Sequence, residues 1–153
     1  MVTARKPELV RDLIERYPAQ ALVVELDVTR HEQVQRSVAE ASDRFGRIDV
    51  LVNGTGPLFD ANVFGLVDVT RTILPLMERV CRGHVVNVLS VGPGRTAVEG
   101  FSTALATQMG PFGITVLTVD GGSVNGQQSA ASAAAAETII AAVDQTDEPD
   151  VRG

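Results

Sequence analysis

Residues 21–28 read Ala-Leu-Val-Val-Glu-Leu-Asp-Val, a short and nearly continuous apolar run. A strand with one wet face alternates apolar and polar residues. A run without that alternation is typical of a strand covered on both faces, as in a parallel sheet. A helix start follows it directly. Thr29-Arg30-His31-Glu32 has capping-box spacing, with the Thr hydroxyl and the Glu carboxylate placed to satisfy free amides of a first turn. Val34, Val38, Ala41 and Phe45 then give that helix a buried face, and Gly46 is placed to cap its carboxyl end.

The same alternation extends outward in both directions. Toward the amino terminus, Pro7 to Tyr17 reads as a helix with Leu9, Val10, Leu13 and Ile14 on one stripe, ended by Tyr17-Pro18. Toward the carboxyl terminus, Ile48 to Val52 reads as a strand, broken by Asn53-Gly54-Thr55-Gly56-Pro57. Asn62 to Leu74 reads as a helix, Val85 to Leu89 as a strand, and Val91 to Arg95 as a tight loop. Thr96 to Met109 is a further helix ended by Gly113, and Ile114 to Val119 a further strand. Strands alternating with helices through right-handed crossovers give an α/β fold, a doubly wound parallel sheet with helices on both faces. The expected division is one domain over residues 1–126. Residues 127–153 then form an Ala-rich linker, a short helix over Glu137 to Val143 and a frayed end.

Composition narrows the function classes. A chain of 153 residues holds one core and is short for two. Aromatics are only 4% and Trp is absent, so that core is aliphatic. The net charge of −6 repels phosphate backbones, which argues against a nucleic-acid partner. Cys81 is the one cysteine, so no intrachain disulfide forms, which fits a reducing cytoplasm. The stretch Met1 to Tyr17 is charged and amphipathic, unlike a signal peptide, and no apolar run reaches the length of a membrane span. His31 reads as a solvated helix residue and Cys81 as a partly buried small one. His84 has no acidic or cysteine neighbour at metal-ligand spacing, so no metal site is expected.

Several segments carry a family resemblance. They are Asp27-Val28-Thr29 after a strand, Gly46 through Gly56 (GRIDVLVNGTG), and Asn62-Val63-Phe64-Gly65 followed by Leu74-Pro75-Leu76-Met77. Val86-Asn87-Val88-Leu89-Ser90 and Ala97-Val98-Glu99-Gly100-Phe101-Ser102 continue the series. In number and order they resemble the short-chain dehydrogenase/reductase family from about Thr3 to Val124. The resemblance implies a Rossmann-like sheet, an NADP cofactor and alcohol–carbonyl interconversion on a small molecule by hydride transfer. It implies that Asp27 and Val28 contact the adenine ring and that Asn53, Gly54 and Gly56 line the cofactor, Gly54 standing where the family has a second Asn. It implies that Asn62 holds a water, that Ser90 bonds the substrate oxygen, and that Arg5, past a short Val2-Thr3-Ala4 strand, meets the 2′-phosphate. Glu99 lies on the helix that the family uses for dimer contacts.

The departures are as informative. The family pattern places a first strand and a glycine-rich phosphate loop upstream of Thr3, and neither is found there. Alignment on Ala97 to Ser102 puts Val91 at the position of the family's catalytic Tyr and Arg95 at that of its Lys, and the chain's one tyrosine is Tyr17. Carbonyl reduction needs a proton donor beside the developing alkoxide. Valine has no such proton, and arginine stays protonated and serves only to hold an anion or stabilise the alkoxide. The expectation is therefore an oxidoreductase with weak or no turnover, in which Ser90, Asn62 and Arg95 are the remaining catalytic positions. The alternatives are a pseudoenzyme, a subunit that completes its sheet with a related chain, and a decayed gene product. Loss of a central strand leaves sheet edges open, which favours marginal stability or a homo-oligomer.

Overall fold

The computed structural model describes residues 1–10, 15–54, 63–89, 92, 94–120, 137–141 and 143–144. Among the described residues five strands are seen: β1 (Val2–Ala4), β2 (Val23–Glu25), β3 (Val50–Asn53), β4 (Gly83–Leu89) and β5 (Ile114–Asp120). Three long helices lie between them: α1 (His31–Phe45), α2 (Val63–Val80) and α3 (Arg95–Met109). Residues 137–141 and 143–144 are helical. The linker expected at 127–136 and the frayed end at 145–153 lie outside the described residues.

Each strand pair among the described residues is parallel. β1 pairs with β2 from Val2↔Val23 to Ala4↔Glu25. β4 is the middle strand of a second sheet, paired with β3 from Val50↔His84 to Asn53↔Asn87 and with β5 from Gly83↔Ile114 to Leu89↔Asp120. Among the described residues no ladder joins the two sheets, so the order is β1-β2 and, separately, β3-β4-β5. Among the described residues β3 pairs along one edge only. Val86 on β4 is fully buried, whereas its cross-strand partner Val52 on β3 is 46% exposed.

The crossovers β3-α2-β4 and β4-α3-β5 step in the same direction. Right-handed connections, the rule for such units, put α2 and α3 on one face of the sheet. α1 joins them there. Val34 and Val38 of α1, Val69, Ile73 and Met77 of α2, Leu105 of α3 and Val85 of β4 form one buried cluster. A smaller cluster of Leu66, Leu89 and Val98 sits toward the carboxyl ends of the strands. Met77 is completely buried, which is worth about 1.5–3 kcal/mol relative to leaving it in water.

Four local readings change. The Thr29–Glu32 capping box does not form: α1 starts at His31, and its N-cap Arg30 makes no side-chain cap bond. Asp27 organises this turn instead, because its carboxylate is short enough to accept from Thr29 two residues on. α2 continues six residues beyond Leu74, to Val80, with Pro75 inside it. Pro75 is exposed, so it forfeits a solvent-side backbone bond. Ile73, Leu74 and Met77 meanwhile keep the buried stripe intact through it. β4 begins at Gly83 rather than Val85, and the chain there runs so close to Met77 that a Cβ on residue 83 would overlap its side chain. Cys81 is exposed, not partly buried, and sits in the turn before β4 at φ 51°. Its carbonyl lies where a Cβ on Gly113 would go, and Gly113 itself has φ +69°. Space and backbone conformation therefore both require glycine there.

Candidate functional site

In an open parallel α/β sheet, ligands bind outside the carboxyl ends of the strands. The residues at that rim follow from the strand ends. Arg5 follows β1, Asp27 and Val28 follow β2, Asn53 closes β3 with Gly54 next, Arg95 opens the helix after β4, and Asp120 closes β5.

Asp27 is the most constrained charge there. Its Oδ1 accepts from the Thr29 hydroxyl at 2.7 Å and from the Thr29 backbone N–H at 3.0 Å, and its own N–H donates to Gln33 Oε1 at 2.9 Å. The Thr29 hydroxyl, the Thr29 N–H and the nearby charges of Arg30 and Arg5 hold the Asp27 carboxyl below the usual carboxylate range, against a smaller opposing effect of desolvation. Asp27 is therefore ionised at neutral pH. Arg5, at the end of the neighbouring strand, is close enough to contribute to that shift and is itself exposed. Val28 packs against the main apolar cluster.

Asn53 belongs to a buried polar layer that the sequence reading missed. Its Nδ2 donates to Asn87 Oδ1 at 2.8 Å and to Thr70 Oγ1 at 3.3 Å. Asn87 Nδ2 donates to Ser102 Oγ at 2.8 Å. Asn53, Thr70, Asn87 and Ser102 are all at least nine-tenths buried, and they tie β3, α2, β4 and α3 together. The signal in the sequence was one polar residue in each of two apolar runs, Leu51-Val52-Asn53 and Val85-Val86-Asn87, which the parallel register sets opposite each other.

Arg95 opens α3 and reaches two carboxylates, with Nε 2.9 Å from Glu99 Oε1 and Nη2 3.1 Å from Asp120 Oδ2. The hydrogen bond to Asp120, then that to Glu99, pushes the guanidinium pKa still higher. Glu99 is thus a partner of Arg95. His31 is not simply solvated either. Its Nδ1 lies 2.8 and 2.9 Å from the two Asp68 oxygens, which links the start of α1 to α2. Tyr17 lies in the turn before β2, at the opposite end of that strand from Asp27, and is 51% exposed. Gly54 is exposed, with open space where a Cβ would stand. Asn62, Ser90 and Gly56 lie outside the described residues. Among the described residues no group of three or more His, Cys, Asp or Glu is arranged to hold a metal ion, and no helix is long and apolar enough to cross a membrane.

The rim therefore offers an ionised carboxylate beside an exposed cation and a buried amide, a set suited to polar and anionic groups of a ligand. Comparison with known proteins agrees with this architecture. The model of the short chain dehydrogenase family matches residues 1–138. An oxidoreductase of Botryotinia fuckeliana, BOA17, is 32% identical over 81% of this chain and 56% of its own length. A 3-ketodihydrosphingosine reductase of Bacteroides thetaiotaomicron is 30% identical over 65% of this chain and 48% of its own. The chain spans about half the length of the curated relatives it matches. Among solved structures, a short-chain dehydrogenase from Streptomyces avermitilis superposes with a TM-score of 0.70 at 35% identity, over 77% of this chain and 54% of that one. A metagenomic short-chain oxidoreductase in complex with NADP shares the fold at a TM-score of 0.75 and 21% identity, over 89% of this chain and 76% of that one. With strand order, parallel register and family match in agreement, this chain belongs to the short-chain dehydrogenase/reductase family.

Proposed function

We propose that this chain binds a nicotinamide dinucleotide of the NADP type at the carboxyl rim of its strands, and that it turns over alcohols and carbonyls weakly or not at all. The observation that carries the reading is Arg5 standing beside Asp27 at the ends of two paired strands. A cation there suits a phosphate, and an ionised carboxylate suits the donors of an adenosine. Asn53 and Gly54 extend the same surface, with Val28 behind it and Gly56 following in the sequence. The NADP complex of a fold relative supports the choice of cofactor.

When bound, such a cofactor supplies or accepts the hydride. The chain's own residues account for binding better than for proton transfer. Asp27 is already ionised near neutral pH, and the Arg95 guanidinium keeps its proton. Arg95 can stabilise an alkoxide but cannot relay a proton to it. Ser90 and Asn62 keep the roles of substrate-oxygen contact and water anchor in this proposal, with a small carbonyl or alcohol as substrate and the cytoplasm as compartment.

A calorimetric titration of the folded chain with NADPH, and with NADH for comparison, tests the reading. Micromolar binding that favours NADPH and weakens in Arg5→Ala supports it. No heat with either nucleotide rules it out for this chain.

The open edge of β3 favours a second reading, a non-catalytic subunit that pairs with a second copy or a related chain. Val52 stays 46% exposed on that edge, and an unpaired edge is a template for strand addition.

A further inference from the structure

The charges along the carboxyl rim are unevenly matched. At the β1–β2 end the cations Arg30 and Arg5 both act on the single carboxylate of Asp27. At the β4–β5 end the balance is reversed. Arg95 opens α3, and its guanidinium lies between Glu99, one turn along the same helix, and Asp120, the last residue of β5. Its Nε donates to Glu99 Oε1 at 2.9 Å and its Nη2 to Asp120 Oδ2 at 3.1 Å. Asp120 is the register partner of Leu89, so the trio stands beside the end of β4, which leads in the sequence to Ser90.

One cation set between two carboxylates has no net charge to offer an anion. A guanidinium has more N–H donors than these two bonds use, so Arg95 still has donors for an uncharged oxygen. The ground beneath is apolar. Leu66, Leu89 and Val98 form a buried cluster at this end of the strands, with the half-buried Val63 and Phe101 packed on it. We propose that Asp120 sets the substrate class at this end of the rim: with Glu99 it neutralises Arg95, so the chain takes uncharged apolar ketones, aldehydes and alcohols and rejects those that carry a carboxylate or phosphate. The inference rests on the cofactor reading above and adds the class of substrate to it.

The test compares 2-heptanone with 2-oxoheptanoate, in which a carboxylate replaces the methyl group beside the carbonyl. Each is titrated into the full chain at saturating NADPH and low salt, and binding is followed by backbone amide shifts. One surplus charge about 6 Å away near a protein surface is worth about tenfold in affinity, so the wild type should favour the ketone by about that factor. Asp120→Asn and Glu99→Gln should each bring the two compounds within about threefold, and the double change should favour the keto acid. The two carboxylates are 62% and 43% exposed, so their amide variants should keep the fold. Asp43→Asn removes the same charge from an exposed position on α1 and should leave the wild-type ratio unchanged.

A wild type that favours the keto acid, or a ratio unmoved by both Asp120→Asn and Glu99→Gln, overturns the proposal. So does an equal change in Asp43→Asn, which would assign the effect to overall charge. Binding of neither compound by a chain that does take up NADPH overturns the substrate class and leaves the cofactor reading standing. A folded chain that takes up no NADPH refutes the cofactor reading, and the substrate class falls with it.

Discussion

Asn53 and Asn87 stand directly opposite each other on β3 and β4, and a 2.8 Å hydrogen bond joins their side-chain amides on the helix-covered face of the sheet. Leu51 and Val85, one pleat below, belong to the main apolar cluster, and Leu89, one pleat above, to the smaller one. The polar pair thus divides the core into two compartments. A one-residue slip of β3 against β4 would separate the two amides, so the pair also pins the register.

Removing Asn87 should therefore cost stability well beyond its volume. Asn87→Ala takes away an acceptor for Asn53 and a donor for Ser102 in a buried site. The expected loss is about 1–3 kcal/mol, read as a lower urea midpoint with an unchanged slope. An unchanged midpoint would mean that water replaces the lost partners.

Gly113 and Gly100 should respond to alanine in opposite directions. Gly113 has φ +69° and faces the Cys81 carbonyl. Gly113→Ala should cost about 1–2 kcal/mol from the left-handed backbone alone, and more from the contact. Gly100 lies within α3 with open space around it. Gly100→Ala should gain about 0.5–1 kcal/mol. Thermal unfolding of the two variants side by side checks both signs.

Asp27 should leave a mark in acid. Its pKa in the fold lies below the ordinary 3.8 because of Thr29 and then the nearby cations. A group lowered on folding stabilises the fold above its unfolded value, and that contribution drains away as the pH falls from 3.8 through the folded value. Urea midpoints of the wild type and Asp27→Asn should differ at pH 6, and the difference should shrink as the pH falls below 3.8. A difference that persists or widens in acid contradicts the assignment.

Arg95 is tied to Glu99 and Asp120, but its side chain is 33% exposed and the two carboxylates are 43% and 62% exposed. Arg95→Ala should therefore cost no more than about 1 kcal/mol in stability, less at high salt. If any carbonyl reduction is measurable, the same change should abolish it. Turnover that survives Arg95→Ala would remove Arg95 from the mechanism.

Val52 tests the second reading. If chains meet through the open β3 edge, Val52→Lys should shift sedimentation toward the monomer, since an edge lysine blocks strand addition. Association that is indifferent to Val52→Lys places any interface elsewhere.

Much of this architecture was legible because strand and helix periods are local. The apolar runs at 21–28, 48–52, 85–89 and 114–119 each contain or overlap a strand, and Gly46 and Gly113 fall where the chain turns left-handed. What stayed hidden depends on contacts distant in sequence. Pro75 reads as a helix end until Met77 is seen to be buried beyond it. His31 reads as solvated until α2 brings Asp68 alongside. Asn53 reads as a cofactor contact from its motif. Its partners Thr70, Asn87 and Ser102, spread over two helices and a strand, are visible only once the parallel register is known.

The central claim is that the strand ends of this chain still assemble a dinucleotide site, and the most direct measurement is a map of backbone amide shifts during an NADPH titration. The account predicts saturable shifts concentrated at Arg5, Asp27 to Thr29 and Asn53 to Gly54, with Tyr17 and the outer face of α1 unmoved. Shifts absent at saturating NADPH, or gathered away from the carboxyl ends of the strands, would contradict it.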